Sequence, residues 1–94
     1  SQDYDTWYFR ASLMMFKGQK TPDKDILEVI DDIMKYMNYL GLISLGMAGG
    51  EYEIKFLPLS KSFDEHPYWL ITKLVYIKGK INHGMKEANN KKSK

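Results

Sequence analysis

The chain has no cysteine and only two histidines and three prolines among its 94 residues. Without cysteine, neither a disulfide framework nor a thiolate-held metal is open to it. His66 and His83 stand seventeen positions apart, and no metal centre is expected from them. Long apolar runs are also missing: nothing approaches the roughly 20 residues of a membrane span, and no signal-type apolar core appears near the start. A soluble intracellular protein is expected, cytoplasmic or nucleoid-associated. Catalytic signatures are absent too. No serine, histidine and acid arrangement suggests a nucleophile. The glycines of LGMAGGEY fit neither phosphate-binding fingerprint, since a strand follows where a helix start is needed. The expectation is therefore a protein without enzymatic activity and without a cofactor.

What is present is a core. A hydrophobic fraction of 44% with 14% aromatic residues is enough for one folded domain and argues against disorder. At this length one core is marginal, so a homodimer sharing its interior is a natural expectation. Charge is unevenly placed. From residue 22 to 40, five acids (Asp23, Asp25, Glu28, Asp31, Asp32) face Lys24 and Lys35, for a local charge of −3. From residue 72 to 94, seven lysines face Glu87, for a local charge of +6.

The patterning predicts an α+β, mostly helical chain. In DTWYFRASLMMFKG, Asp5 or Thr6 caps a helix that includes Trp7, Ala11, Met14 and Met15 and stops at Gly18. TPDKD starts a second helix, with Thr21 as cap and Pro22 in its first turn. Ile26, Ile30, Ile33, Met37 and Leu40 form its inner stripe, Leu27 and Met34 widen it, and Gly41 supplies a left-handed exit. Leu42 to Leu45 and EYEIKFL then read as two strands. Tyr52, Ile54 and Phe56 share the inner face, and Gly49 and Gly50 take positive φ in the turn. A last helix starts near SKSFDEHPYW, where Ser62 and Glu65 match a capping box. Its seam is Leu70, Leu74, Ile77 and Ile81. Gly79 and Gly84 weaken it, so fraying is expected beyond Gly84. The domain is expected over residues 1–88, with a dimerisation helix at about 64–84 and a disordered basic tail over 89–94.

IMKYMNYLGLISL followed by GGEYEIKFLPLSKSF resembles the winged helix-turn-helix domain of MarR- and PadR-like regulators. There a recognition helix runs into a "GLI"-type segment and a hairpin wing, and a long dimerising helix follows. The match covers roughly half of the chain. Three features depart from that pattern. Only about 19 residues, from 22 to 40, are offered for two helices and their turn. Asp31 and Asp32 sit where a base reader avoids negative charge. The turn MAGG carries no basic residue for a minor groove.

Two functions follow from these readings. The resemblance implies a homodimeric transcriptional regulator or DNA-organising factor. Its double-stranded DNA contacts would come from Lys35, Tyr36, Asn38 and Tyr39, then Lys20 and Lys24, with Lys91 and Lys92 on phosphates. Leu70, Leu74, Ile77 and Ile81 would make the dimer. The alternative is a protein-interaction module whose acidic face (Asp23, Glu28, Asp31, Asp32) meets a basic protein partner.

Overall fold

The structure is a computed structural model that describes residues 2–20, 23–57 and 62–92, excepting the side chains of Gln2, Asp3, Ala48, Phe63, Lys91 and Lys92. Three helices and one antiparallel hairpin follow each other along the chain: α1 (Gln2–Lys17), α2 (Lys24–Met37), β1 (Leu40–Ser44), β2 (Gly50–Ile54) and α3 (Tyr68–Lys92). The fold is thus α+β and mostly helical. Among the described residues no helix is long and apolar enough to cross a membrane.

Helix ends follow local chemistry. Gly18, at φ 66°, closes α1 in the left-handed conformation, and the Gln19 amide donates to the Met14 carbonyl at 3.1 Å. That bond satisfies a carbonyl the helix would otherwise leave open. Asp23, in extended conformation, caps α2 by accepting from the Asp25 amide at 3.0 Å. The expected cap at Thr21 and Pro22 lies outside the described residues, as do Pro58 and the segment 59–61. Ser62 and Glu65 do pair, through the Ser62 amide at 3.2 Å and its hydroxyl at 3.1 Å. They close a single 3-10 turn, Phe63–Glu65, and not α3, which starts at Tyr68 directly after Pro67.

The hairpin pairs Leu40 with Ile54, Leu42 with Tyr52 and Ser44 with Gly50. Its turn uses positive φ at Gly46 (65°) and Gly49 (96°), not at Gly50. Gly41 is no helix exit either, because α2 has already ended at Met37 and Gly41 lies within β1. A Cβ there would come within 2.6 Å of Lys55 Cδ, so the glycine makes room for that side chain to cross the sheet.

The core gathers Tyr8 and Ala11 from α1, Ile26, Val29 and Ile33 from α2, Leu40 from β1, and Ile77 and Ile81 from α3. Tyr52 and Ile54 pack against it. Phe56, expected on the same face, lies past the end of β2 and is exposed. Leu27 and Met34, expected to widen the inner stripe of α2, are exposed on its flank.

The last helix departs furthest from expectation. Leu74, Ile77 and Ile81 are fully buried and Leu70 nearly so. The seam expected to face a second copy is thus covered by the rest of its own chain. Helix α3 continues past Gly84 to Lys92, so positions 89–92 of the expected tail are helical. A Cβ at position 84 would meet Ser12 Cβ at 2.6 Å and the Ser12 carbonyl carbon at 2.8 Å. Gly84 is the point where α3 and α1 approach backbone to backbone, and Ala88, one turn on, is buried as well. Asn82 ties α3 to the hairpin: its Oδ1 accepts from the Tyr52 amide at 2.7 Å and its Nδ2 donates to the Tyr52 carbonyl at 3.0 Å.

The two glycines of α3 are expected to respond oppositely to alanine. Gly79 faces open space, so Gly79→Ala should gain about 0.5–1 kcal/mol from backbone entropy alone. Gly84→Ala gains the same propensity but overpacks against α1, at a cost of about 1–3 kcal/mol. Urea unfolding midpoints of both variants against the parent check the sign of each change.

Candidate interaction surface

α2 is one uninterrupted helix from Lys24 to Met37, and among the described residues no second helix separates it from β1. At 100° per residue its outer face carries Lys24, Glu28, Asp31 and Lys35, all exposed. Leu27 and Met34, 47% and 56% exposed, run along one margin of that face. Asp25 and Asp32 run along the other.

The expected DNA contacts do not converge. Lys24 and Lys35 share the outer face of α2 but alternate with acids. Lys20 lies in the link between α1 and α2. Tyr36 is half-buried, its ring centre 5.6 Å from the Lys73 ammonium. Tyr39 is half-buried, and its carbonyl accepts from the Lys55 and Phe56 amides at 3.0 and 3.1 Å. Asn38 is exposed but serves as the C-terminal cap of α2. The side chains of Lys91 and Lys92 lie outside the described residues. Of the expected acidic face, Glu28 and Asp31 are open, Asp23 caps its own helix, and Asp32 is already paired.

That pairing is the centre of a cluster that joins all three helices. Lys73 of α3 places its Nζ 2.7 Å from Asp32 Oδ2 of α2. The same ammonium donates to the hydroxyls of Tyr4 and Tyr8 of α1, each at 3.2 Å. Tyr8 in turn donates to Asp32. The Tyr4 ring centre lies 5.9 Å from Nζ. With the hydroxyl at 3.2 Å, the ammonium must sit off the phenol end of Tyr4 and not over its face. This contact is a hydrogen bond and not a cation–π one. Beside it, Tyr76 donates to Asp5, and Lys80 approaches the same carboxylate at 3.8 Å.

These contacts set the protonation states. Burial pushes the Asp32 carboxyl up, but hydrogen bonds from Lys73 and Tyr8 and the nearby positive charges outweigh it, and its pKa falls below the ordinary carboxylate value. Burial pushes Lys73 down, while its bonds to Asp32, Tyr8 and Tyr4 push it further up, so its pKa is raised overall. Tyr8 is raised by burial and by the Asp32 carboxylate, and Tyr76 by burial and by Asp5. A lysine fixed as an ammonium and phenols held neutral are the reverse of what a nucleophile or general base needs. The cluster clasps helices together.

The sequence offers little warning of this clasp. Tyr4 and Tyr8 are four residues apart and Lys73 adjoins the seam residue Leu74, but nothing local pairs them across more than sixty residues. A smaller pair was within reach of a local reading: Glu87, four residues after His83, stands 4.0 Å from its Nε2. Among the described residues no three of His, Asp and Glu gather as metal ligands.

Two depressions open next to the clasp. One, of about 430 Å³, lies between the first residues of α1 and of α3, among Tyr4, Tyr68, Trp69, Thr72, Lys73 and Tyr76. The other, of about 230 Å³, lies between α1 and α2, with Tyr4 and Trp7 facing Asp25, Glu28 and Asp32. Tyr4 is the wall they share. The chain has no significant match to any family model, to a curated protein or to a solved structure.

Asp32→Asn is expected to cost about 1.5–3 kcal/mol at neutral pH, the usual value of hydrogen bonds to a charged group. Because the carboxyl's pKa is lowered by folding, its stabilisation is present above the ordinary value of 3.8. It is lost as pH falls below that value and through the folded one. The variant should therefore show a flatter fall of stability below about pH 4. Thermal unfolding of parent and variant from neutral to strongly acid pH tests this.

Proposed function

We propose that the chain is a protein-interaction module that offers the outer side of α2 to a basic partner. The observation that carries this reading is the composition of that one helix face: Leu27 and Met34 are exposed along its margin, next to Glu28 and Asp31. Apolar anchors flanked by carboxylates suit a basic amphipathic helix, which would bury its apolar side on Leu27 and Met34 and set its cations on the acids. Glu28 and Asp31 have no ion-pair partner among the described residues, so such a complex would add charge pairs without breaking existing ones.

The hairpin followed by a long helix is the part of the winged-helix pattern that this chain shares, and winged helices serve nucleic acids and proteins alike because fold does not dictate function. Three features favour the protein partner over DNA. α2 is single, its lysines alternate with acids that would face phosphate, and the hairpin tip from Gly46 to Gly49 carries no cation. The seam of α3 is used within the chain, so no second copy is needed to complete the fold.

Fluorescence anisotropy compares a labelled basic amphipathic helical peptide with labelled random duplex DNA. The peptide is expected to bind, with affinity falling as salt rises, and Leu27→Asp and Asp31→Lys should each weaken it about tenfold or more. Duplex binding that falls steeply with salt and weakens in Lys35→Glu, with the peptide inert, would replace this reading with the DNA one.

A further inference from the structure

We infer that the aromatic groove between the starts of α1 and α3, together with the acid-lined notch beside it, binds an extended peptide segment in which an aromatic residue adjoins an arginine or lysine. The inference rests on the reading above that the chain is an interaction module. It adds a second contact, on the flank that α2 shares with α1.

The groove is built from rings. Tyr68 and Trp69, in the first turn of α3, are 85% and 63% exposed; Tyr76 continues the same helix wall two turns on, and Tyr4 of α1 stands across from it. Tyrosine and tryptophan are the residues that carry binding energy at protein interfaces, since they offer large rigid area at low entropic cost. Here four of them surround one depression. It is open to solvent and not enclosed, which suits a chain lying across it.

Charge selects the occupant. The notch on the far side of Tyr4 presents Asp25, Glu28 and Asp32. Asp32 is neutralised by Lys73, and Asp5, which Tyr76 hydrogen-bonds, is approached by Lys80 at 3.8 Å. Asp25 and Glu28 have no ion-pair partner among the described residues, which leaves two uncompensated negative charges at the mouth. A phosphate, a nucleic acid or an acidic peptide would be repelled there. A guanidinium would gain both a carboxylate and a ring to stack on, Tyr4 or Trp7. The Lys73 ammonium at the base of the groove is already enclosed by its own partners, Asp32, Tyr4 and Tyr8. The side chain beside the cation in the peptide would then lie between Trp69 and Tyr4, where an aromatic ring fits best.

The chain has two tryptophans, Trp7 and Trp69, and one lies in each half of the site. Their two indole N–H resonances in a ¹⁵N-labelled sample report the halves separately. Three blocked nonapeptides in a Gly/Ser background serve as probes, with Arg-Phe, Arg-Ser or Glu-Phe at the centre. The Arg-Phe peptide is expected to shift both indoles in a single saturable titration, at least tenfold tighter than either of the others. Trp69→Ala, at an exposed position, should weaken the Arg-Phe peptide at least tenfold and leave the Arg-Ser peptide unchanged. Glu28→Gln should weaken both arginine peptides severalfold. Circular dichroism confirms that each variant stays folded. A shift of one indole alone, equal affinity for the Glu-Phe peptide, or no shift at all overturns the inference. Adding the amphipathic basic helix separates this failure from that of the broader reading. Shifts at the Leu27 and Asp31 amides with both indoles still would retire the groove and keep the α2 face; silence at all of them would retire both.

Discussion

The burial of one face of α3 by the rest of its own chain is the constraint on which this structure depends. Ile77 and Ile81 enter the interior beside Tyr8 and Ala11 of α1 and Ile26 and Ile33 of α2. α1 packs more extensively on α3 than on any other element. That closeness needs a position with no side chain where the two backbones meet, which is Gly84 over Ser12. Ser12 is itself fully buried and sends its hydroxyl to the Tyr8 carbonyl at 2.9 Å, so the contact leaves no polar group stranded. With α3 seated in this way, Lys73 falls between Asp32 and the tyrosines of α1, and Asn82 falls against β2. The clasp, the hairpin's attachment and the aromatic groove all descend from one helix pairing.

Local elements were readable because their causes are local. Gly18 as a helix end, the apolar stripe of α2, the two strands around a glycine-rich turn and the Ser62–Glu65 pair each depend on residues a few positions apart. What was not readable required knowing who sits opposite whom. The period of Leu70, Leu74, Ile77 and Ile81 says that one side of a helix will be covered, and it looks the same whether a second chain or the same chain covers it. Gly84 illustrates the point in reverse: by propensity it weakens a helix, yet in place it is what lets α1 come close. Leu27 and Met34 erred the other way, since apolar residues at the edge of an inner stripe look alike whether they turn in or out.

The candidate site was legible only in outline. The acidic character of α2 is plain in the composition, and Glu28 and Asp31 do face outward. Which of its acids are already engaged is a tertiary matter, decided for Asp32 by a lysine 41 positions away. This pair is also where the acidic middle and the basic end of the chain meet. Opposed charges that look like separate surfaces in the sequence are partly spent on each other inside the fold, so a count of charge along a chain overstates what a partner can find.

Asn82 leaves a distinctive mark on the hairpin. Both backbone hydrogen-bonding groups of Tyr52 are taken by this one amide, on the edge of β2 that no strand among the described residues covers. Tyr52 therefore owes its shielding from solvent to a side chain of α3, whereas its neighbours owe theirs to the other strand. Isotope exchange at that one backbone proton follows detachment of the helix and not fraying of the ribbon. One hydrogen in the sheet thus keeps time for the far end of the molecule.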